Sequence, residues 1–194
     1  MKTTIRNIQK HLGLVQDGII GPQTLRAISA ELGIKEIPAW PTQEEVRKGC
    51  SIFGSPGRED ALTSIIPAYT LYYENSPVRS IRVHALIAPH VKRALEEALA
   101  HYGEEEIQRL GLNQFGGCYN YRPTSGGKSL SLHAWGIALD FAPRTNAYAL
   151  KSPRASLSHP DCEAWWRIWE QHGAVSLGRE RNFDWMHLQF ARLS

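Results

Sequence analysis

The stretch SLHAWGIALDF, residues 131–141, sets His133 and Asp140 seven positions apart, with Gly136 between them and an apolar run leading into the acid. An extended chain at ~3.3 Å per residue would separate such a pair by roughly 23 Å, and a helix at ~1.5 Å per residue by about 10 Å. The two side chains share one ion only if the chain bends between them, and glycine is the residue best able to take the backbone angles of a bend. From Ile137, the pattern Ile-Ala-Leu-Asp-Phe reads as a short buried strand with a carboxylate near its end. Taken alone, the stretch leaves two readings open: a surface histidine, a bend and a strand-terminal aspartate, or half of a metal site.

A second half exists near the C-terminus, where FDWMHLQF places Asp184 three positions before His187. In a regular strand these side chains point to opposite faces, so they cooperate only if a turn precedes the strand. With that turn, His187 becomes a third ligand and Asp184 lies beside the position left open. Two imidazoles and one carboxylate suit Zn²⁺, and three protein ligands are the pattern of catalytic rather than structural zinc. A further carboxylate is what amide hydrolysis then needs, to take a proton from water and return it to the leaving amine.

Composition narrows the alternatives. The three cysteines, Cys50, Cys118 and Cys162, are far apart and form no CxxC pair, which argues against a disulfide framework and a thiolate zinc knuckle. A net charge of +3 comes from scattered basic residues, a weak signal for an anionic partner, and no nucleic-acid interaction is expected. No apolar run approaches the ~20 residues of a membrane helix, and the opening MKTTIRNIQKHLG lacks the 7–15 apolar residues of a secretion signal. The expectation is a monomer made in the cytoplasm without stable membrane insertion. At 194 residues, 42% hydrophobic and 21% charged, the chain suits one full domain plus something small.

The small part is a helical head, residues 1–34, with helices predicted over 5–14 and 24–32 around the turn-rich QDGIIGPQT. Two such helices bury too little to stand alone, so the head leans on the body or borrows a third helix from 42–48. GIKEIPAWPTQEE, with Pro38 and Pro41, marks residues 35–50 as the linker. The body, 51–194, mixes element types: a strand over 80–87, a helix over 89–102 stopped by Gly103, a helix capped by Asp161 and carrying Trp165, Trp166 and Trp169 to His172-Gly173, then strands near 174–177 and 187–190. Strands and helices do not alternate regularly. The predicted class is α+β, a small, mostly antiparallel sheet flanked by helices with a zinc cleft, preceded by the helical N-terminal segment.

SLHAWGIALDF followed by DWMH resembles the SxHxxGxAxD…[DE]xxH pattern of the zinc D-Ala-D-Ala carboxypeptidase and L-alanyl-D-glutamate endopeptidase superfamily, which includes phage endolysins and vancomycin-resistance peptidases. Ser131, His133, Gly136, Ala138 and Asp140 fill the first motif. The resemblance covers roughly residues 51–193. It implies Zn²⁺ on His133, Asp140 and His187, Asp184 as the catalytic carboxylate, and Arg122 holding the scissile carbonyl oxygen or a substrate carboxylate from a strand upstream. Ser131 and Trp185 are the candidate substrate contacts. IQKHLGLVQDGIIGPQTLRAI is similar to a peptidoglycan-binding helical module, with Asp17, Gly18, Gly21, Pro22 and Thr24 matching over about half the usual length. The implied function is a peptidoglycan peptidase of phage or prophage endolysin type, reaching the wall after release or permeabilisation. The alternatives are a D-Ala-D-Ala carboxypeptidase of the same fold and a non-catalytic zinc-containing wall-binding protein.

The remaining candidates read as structural. His84, His90, His101 and His159 lack motif partners, and His172 suits a helix end. Trp165, Trp166 and Trp169 at helical spacing read as core rather than as sugar-stacking rings. TSGGK, residues 124–128, lacks phosphate-loop spacing and reads as a loop at the cleft rim.

Overall fold

The computed structural model describes residues 2–16, 18, 24, 27–28, 31–32, 40–124, 126–127 and 129–193. The chain divides into two compact units, Met1–Pro38 and Ala39–Ser194. In the first, α1 (Lys2–His11) buries Gln9, whose side-chain nitrogen donates to the Thr24 hydroxyl at 3.1 Å and whose oxygen accepts from the Gly18 amide at 2.9 Å. Two positions of the wall-module motif are thus tied to one glutamine. Its Asp17, Gly21 and Pro22 lie outside the described residues.

The second unit opens with α2 (Gln43–Arg47), whose ends explain its existence. Thr42 and Glu45 form a reciprocal capping box, each side chain accepting the other's orphan backbone N–H. This helix, expected as a possible third helix of the head, belongs to the second unit. It packs into the larger unit through buried Val46, while Arg192 donates its backbone N–H to Pro41 and its side-chain Nε to the Trp40 carbonyl. Trp40 itself stacks on Phe53 and meets Phe190 edge-on, so the later part of the expected linker is core.

Then follow β1 (Leu62–Ile65), β2 (Leu71–Tyr73), β3 (Ser76–Val78) and β4 (Ile81–His84). β1 pairs with β4 and β2 with β3, both antiparallel. α3 (Ala88–Leu110) turns Val91, Ala94, Leu95, Ala98 and Ile107 into the core. Gly103, predicted as its stop, is a kink: at φ 71° and ψ 166° it breaks the helical path, which resumes and ends at Gly111.

A four-stranded antiparallel sheet carries the cleft, built from β5 (Phe115–Gly117), β6 (Ala138–Phe141), β7 (Val175–Ser176) and β8 (His187–Gln189) in the order β5-β6-β8-β7. Against it lies α4 (Glu163–Gln171), with Trp165, Trp166 and Trp169 almost fully buried. Phe141 of β6 meets Trp165 edge-on with ring centres 5.0 Å apart. The start of α4 is not capped by Asp161, whose carboxylate pairs with Arg109. The Tyr102 hydroxyl of α3 accepts the orphan Trp165 N–H at 2.9 Å and donates to the Asp161 carbonyl at 2.8 Å. The short α5 (Leu177–Arg181) follows β7. Among the described residues, no helix is long and apolar enough to cross a membrane.

The bend required between His133 and Asp140 is a 3₁₀ turn, Leu132–Trp135, closed by Gly136 in the left-handed conformation at φ 67°. A β-carbon there would lie 2.7 Å from Leu62 Cδ2 and 3.2 Å from the His84 amide nitrogen, which donates to the Gly136 carbonyl. Gly136→Ala therefore carries both a backbone and a steric penalty. It is expected to lower unfolding free energy by at least about 2 kcal/mol, measured by denaturant titration, whereas a mutant as stable as the parent would mean the turn yields freely.

Candidate metal centre and cleft

Backbone register alone brings the second and third residues together. Asp140 of β6 stands directly opposite His187 of β8, so both side chains rise from one face of the sheet. Gly117 lies on the other side of Asp140, and a bulge inserts Gly116, where a β-carbon would come within 2.8 Å of Asp140 Cβ. Ser131 accepts the His133 amide at the start of the 3₁₀ turn and so sets the first histidine over the same strand.

Among the described residues, His133, Asp140 and His187 form a group whose ligand atoms all lie within 4.8 Å of one another, an arrangement that could hold a metal ion. Asp140 Oδ2 is 3.2 Å from His133 Nε2, and Oδ1 is 3.1 Å from His187 Nδ1. The opposite ring nitrogens face oxygens. His133 Nδ1 is 2.6 Å from the Cys118 carbonyl, which requires that this nitrogen carry the proton. His187 Nε2 is 3.3 Å from Gln189 Oε1, and Gln189 is itself oriented by donating to the Ala191 carbonyl at 2.7 Å. With these tautomers, lone pairs of both imidazoles point at a carboxylate, and buried His133 Nε2 has no hydrogen-bond partner. Lone pair against lone pair is repulsive unless a cation lies between them. The donor set, two imidazole nitrogens and one carboxylate with oxygen acceptors holding the outer nitrogens, therefore fits Zn²⁺.

Protonation follows the same geometry. Burial alone would raise the pKa of Asp140, but the imidazoles of His133 and His187 outweigh it and hold the carboxyl far below its usual range. Burial likewise works to depress His187, yet the Asp140 carboxylate beside it raises its pKa above the ordinary histidine value. Without metal, this pairing favours a proton between them.

Asp184 enters through the predicted turn. Its φ of 52° is left-handed, a conformation that aspartate tolerates better than most residues, and its carbonyl accepts the His187 N–H at 3.0 Å. The side chain is buried, and Oδ1 has no hydrogen-bond partner. Burial raises its pKa, partly opposed by His187.

These groups line a cleft of about 450 Å³, together with Arg122, Ser131, Tyr148, Phe183 and Met186. Arg122 sits beside an isolated bridge, Pro123 to Leu130, rather than on a strand, and its carbonyl accepts the Ser131 amide. Trp185, expected as a substrate contact, is packing. It is 8% exposed, its indole nitrogen donates to Asn182, and its ring lies so close over Gly178 that a β-carbon there would clash at 2.4 Å. The aromatic wall is instead Tyr148 and Phe183, whose rings meet edge-on at 5.6 Å. Thr124 of the predicted rim loop also lines the cleft, while Ser125 and Lys128 lie outside the described residues. The other histidines of the second unit are engaged elsewhere: His84 Nδ1 accepts the Leu86 amide, His90 packs on Trp40, His101 meets Tyr102, His159 Nδ1 accepts the Asp161 amide and His172 faces Glu97.

Sequence reasoning missed Gln189 and the Cys118 carbonyl. Gln189 was detectable, since two positions beyond His187 on a strand is the same face. A backbone carbonyl leaves no mark in the sequence.

A family model described as D-alanyl-D-alanine carboxypeptidase matches residues 125–190, about a third of the chain, spanning His133, Asp140, Asp184 and His187 but not Arg122. No curated protein and no solved structure matches the chain. The match supports the superfamily already suggested by the motifs, and a peptidoglycan-acting metallopeptidase in general.

Metal must displace the proton from His187, so affinity should rise as pH passes upward through the raised histidine value. Metal-free protein should behave oppositely: the His187–Asp140 pair contributes stability below the ordinary histidine pKa, which is lost as pH climbs through the folded one. Chelator competition at about pH 6 and about pH 8 should show tighter zinc at the higher value, and His133→Ala or His187→Ala should lose most of it. Equal affinity at both pH values, or full zinc in both mutants, would remove the assignment.

Proposed function

We propose that this protein is a zinc-dependent peptidoglycan peptidase that hydrolyses an amide within the peptide stem, an L-alanyl-D-glutamate endopeptidase of phage or prophage endolysin type. The observation carrying this reading is Asp184: a buried carboxylate oxygen without a partner, in the same cleft as a metal-ready His-Asp-His group. A structural metal site has no use for such a group.

The roles divide as follows. His133, Asp140 and His187 hold the ion, and the Cys118 carbonyl and Gln189 keep both imidazoles in the ligating tautomer. Zinc, when bound, supplies Lewis acidity toward a carbonyl and toward water. Asp184 takes the proton from the attacking water and delivers it to the departing nitrogen, for which a pKa raised by burial is suited. Arg122 donates to the carbonyl oxygen as negative charge grows on it.

An endopeptidase reading over a carboxypeptidase one is supported by the shape of the groove. Arg122, His133 and Asp140 line the first cleft and also a second cavity of about 260 Å³ over β5, formed by Tyr73, Gly116, Gly117 and Tyr119. Through Tyr73 and Gly116 that cavity adjoins a third of about 620 Å³. Cavities thus lie toward both neighbours of β6, which suits a peptide held on both sides of the bond to be cut. We assign wall contact to the first unit on its module-like motif. Removing residues 1–38 should weaken sedimentation with intact walls while a short soluble stem peptide is still cut, and unchanged sedimentation would make the unit structural.

Digestion of purified peptidoglycan followed by mass spectrometry should reveal new N-terminal D-glutamate; released D-alanine would favour the carboxypeptidase. Asp184→Asn should retain zinc while kcat falls by about 10²–10⁴-fold, or roughly 3–5 kcal/mol of barrier. A zinc-loaded mutant with near-normal turnover would mean that another residue moves the proton.

A further inference from the structure

Arginines outnumber carboxylates along the metal cleft. Three arginines, Arg47, Arg122 and Arg181, line it, against two carboxylates, Asp140 and Asp184, both belonging to the metal centre. Arg122 already has a role. Arg47 and Arg181 do not, and among the described residues neither has a carboxylate within ion-pair distance, although Arg179, two positions before Arg181, is neutralised by Glu163 and Glu170.

Arg47 is also held in place, while Arg181 reaches the cleft from an exposed position. Arg47 Nε donates to the Leu130 carbonyl at 3.2 Å and Nη1 to Gln43 Oε1 at 3.0 Å, which fixes the guanidinium at the cleft wall with Nη2 uncommitted among the described residues. Arg181 ends α5, the helix leading directly into the Asp184 turn. A planar guanidinium held by neutral acceptors keeps its full charge and a free edge, the arrangement that recognises carboxylates.

We propose that Arg47 and Arg181 form a carboxylate-binding subsite that selects peptides carrying a free carboxylate beside the amide to be cut. The proposal rests on the peptidase reading. It also refines it, because a glutamyl residue joined into a chain through one carboxyl keeps a second, and that group can be free or amidated.

The test compares two soluble stem peptides identical except that the spare glutamyl carboxyl is free in one and a primary amide in the other. For zinc-loaded protein, calorimetry gives Kd and a discontinuous assay gives kcat and KM. The free acid should be preferred on the order of tenfold, through Kd and KM rather than kcat, with the preference shrinking as salt rises. Arg47→Gln and Arg181→Gln should each bring the ratio toward unity, with folding verified by Tm. Lys48→Gln, which removes a neighbouring cation paired with Glu44 outside the cleft, should keep the parental ratio. Equal binding of both peptides by the parent, or an unchanged ratio in the Arg47→Gln/Arg181→Gln double variant, overturns the subsite. Preferential binding of the free acid without cleavage of either peptide leaves the subsite standing and overturns the peptidase reading.

Discussion

The Asp140 carboxylate, gripped between two imidazoles at 3.2 and 3.1 Å, is the interaction around which the larger unit is arranged. A carboxylate this buried would be costly if left alone, and a repulsive partner to two neutral histidine lone pairs. The cluster is tolerable only with a positive charge in its midst, a proton or a metal. Each constraint around it follows from that need: a glycine at 116 so that β5 can approach, a cross-strand register that faces His187, and a left-handed glycine at 136 that returns His133 over the same strand.

The opposite face of the same strand is what makes the placement rigid. Leu139 and Phe141 are wholly buried, and Phe141 packs against Trp165 and Trp169 of α4. A strand whose alternate residues enter a close-packed core cannot slide by one position without burying its charge and exposing its aromatics. The tryptophan stripe is thus the remote support of the metal group, and the Tyr102 hydroxyl that caps α4 links that support to α3.

Much of this was legible in the chain. The seven-residue spacing forced a bend, Gly136 marked where, and the alternation after it marked the strand. Helical spacing placed the tryptophans in the core, and the α+β class followed from the irregular order of elements. What stayed hidden depends on partners distant in sequence. Asp161 has the chemistry of a cap, but Arg109 claims its carboxylate. Gly103 interrupts α3 without ending it, because the next turns still bury Ile107. The Pro-flanked stretch around Trp40 has the composition of a linker, yet an indole fits between Phe53 and Phe190. Trp185 sits inside the DWMH motif, and only Gly178 reveals that the ring is an anchor for the turn. Local pattern reports local geometry, whereas capping, packing and cleft lining are decided by who arrives from elsewhere.

One contact governs how this unit can be joined to others. Thr42 and Arg192 form a parallel bridge, and Arg192 reaches back to Pro41 and Trp40, so the first described turn of the body and its last are laced side by side. A fold whose entry and exit points coincide is topologically a closed loop with a single seam. Such a unit can be spliced into a host chain as an insertion, or opened at another surface turn and resealed at this seam, without rerouting any strand through the interior.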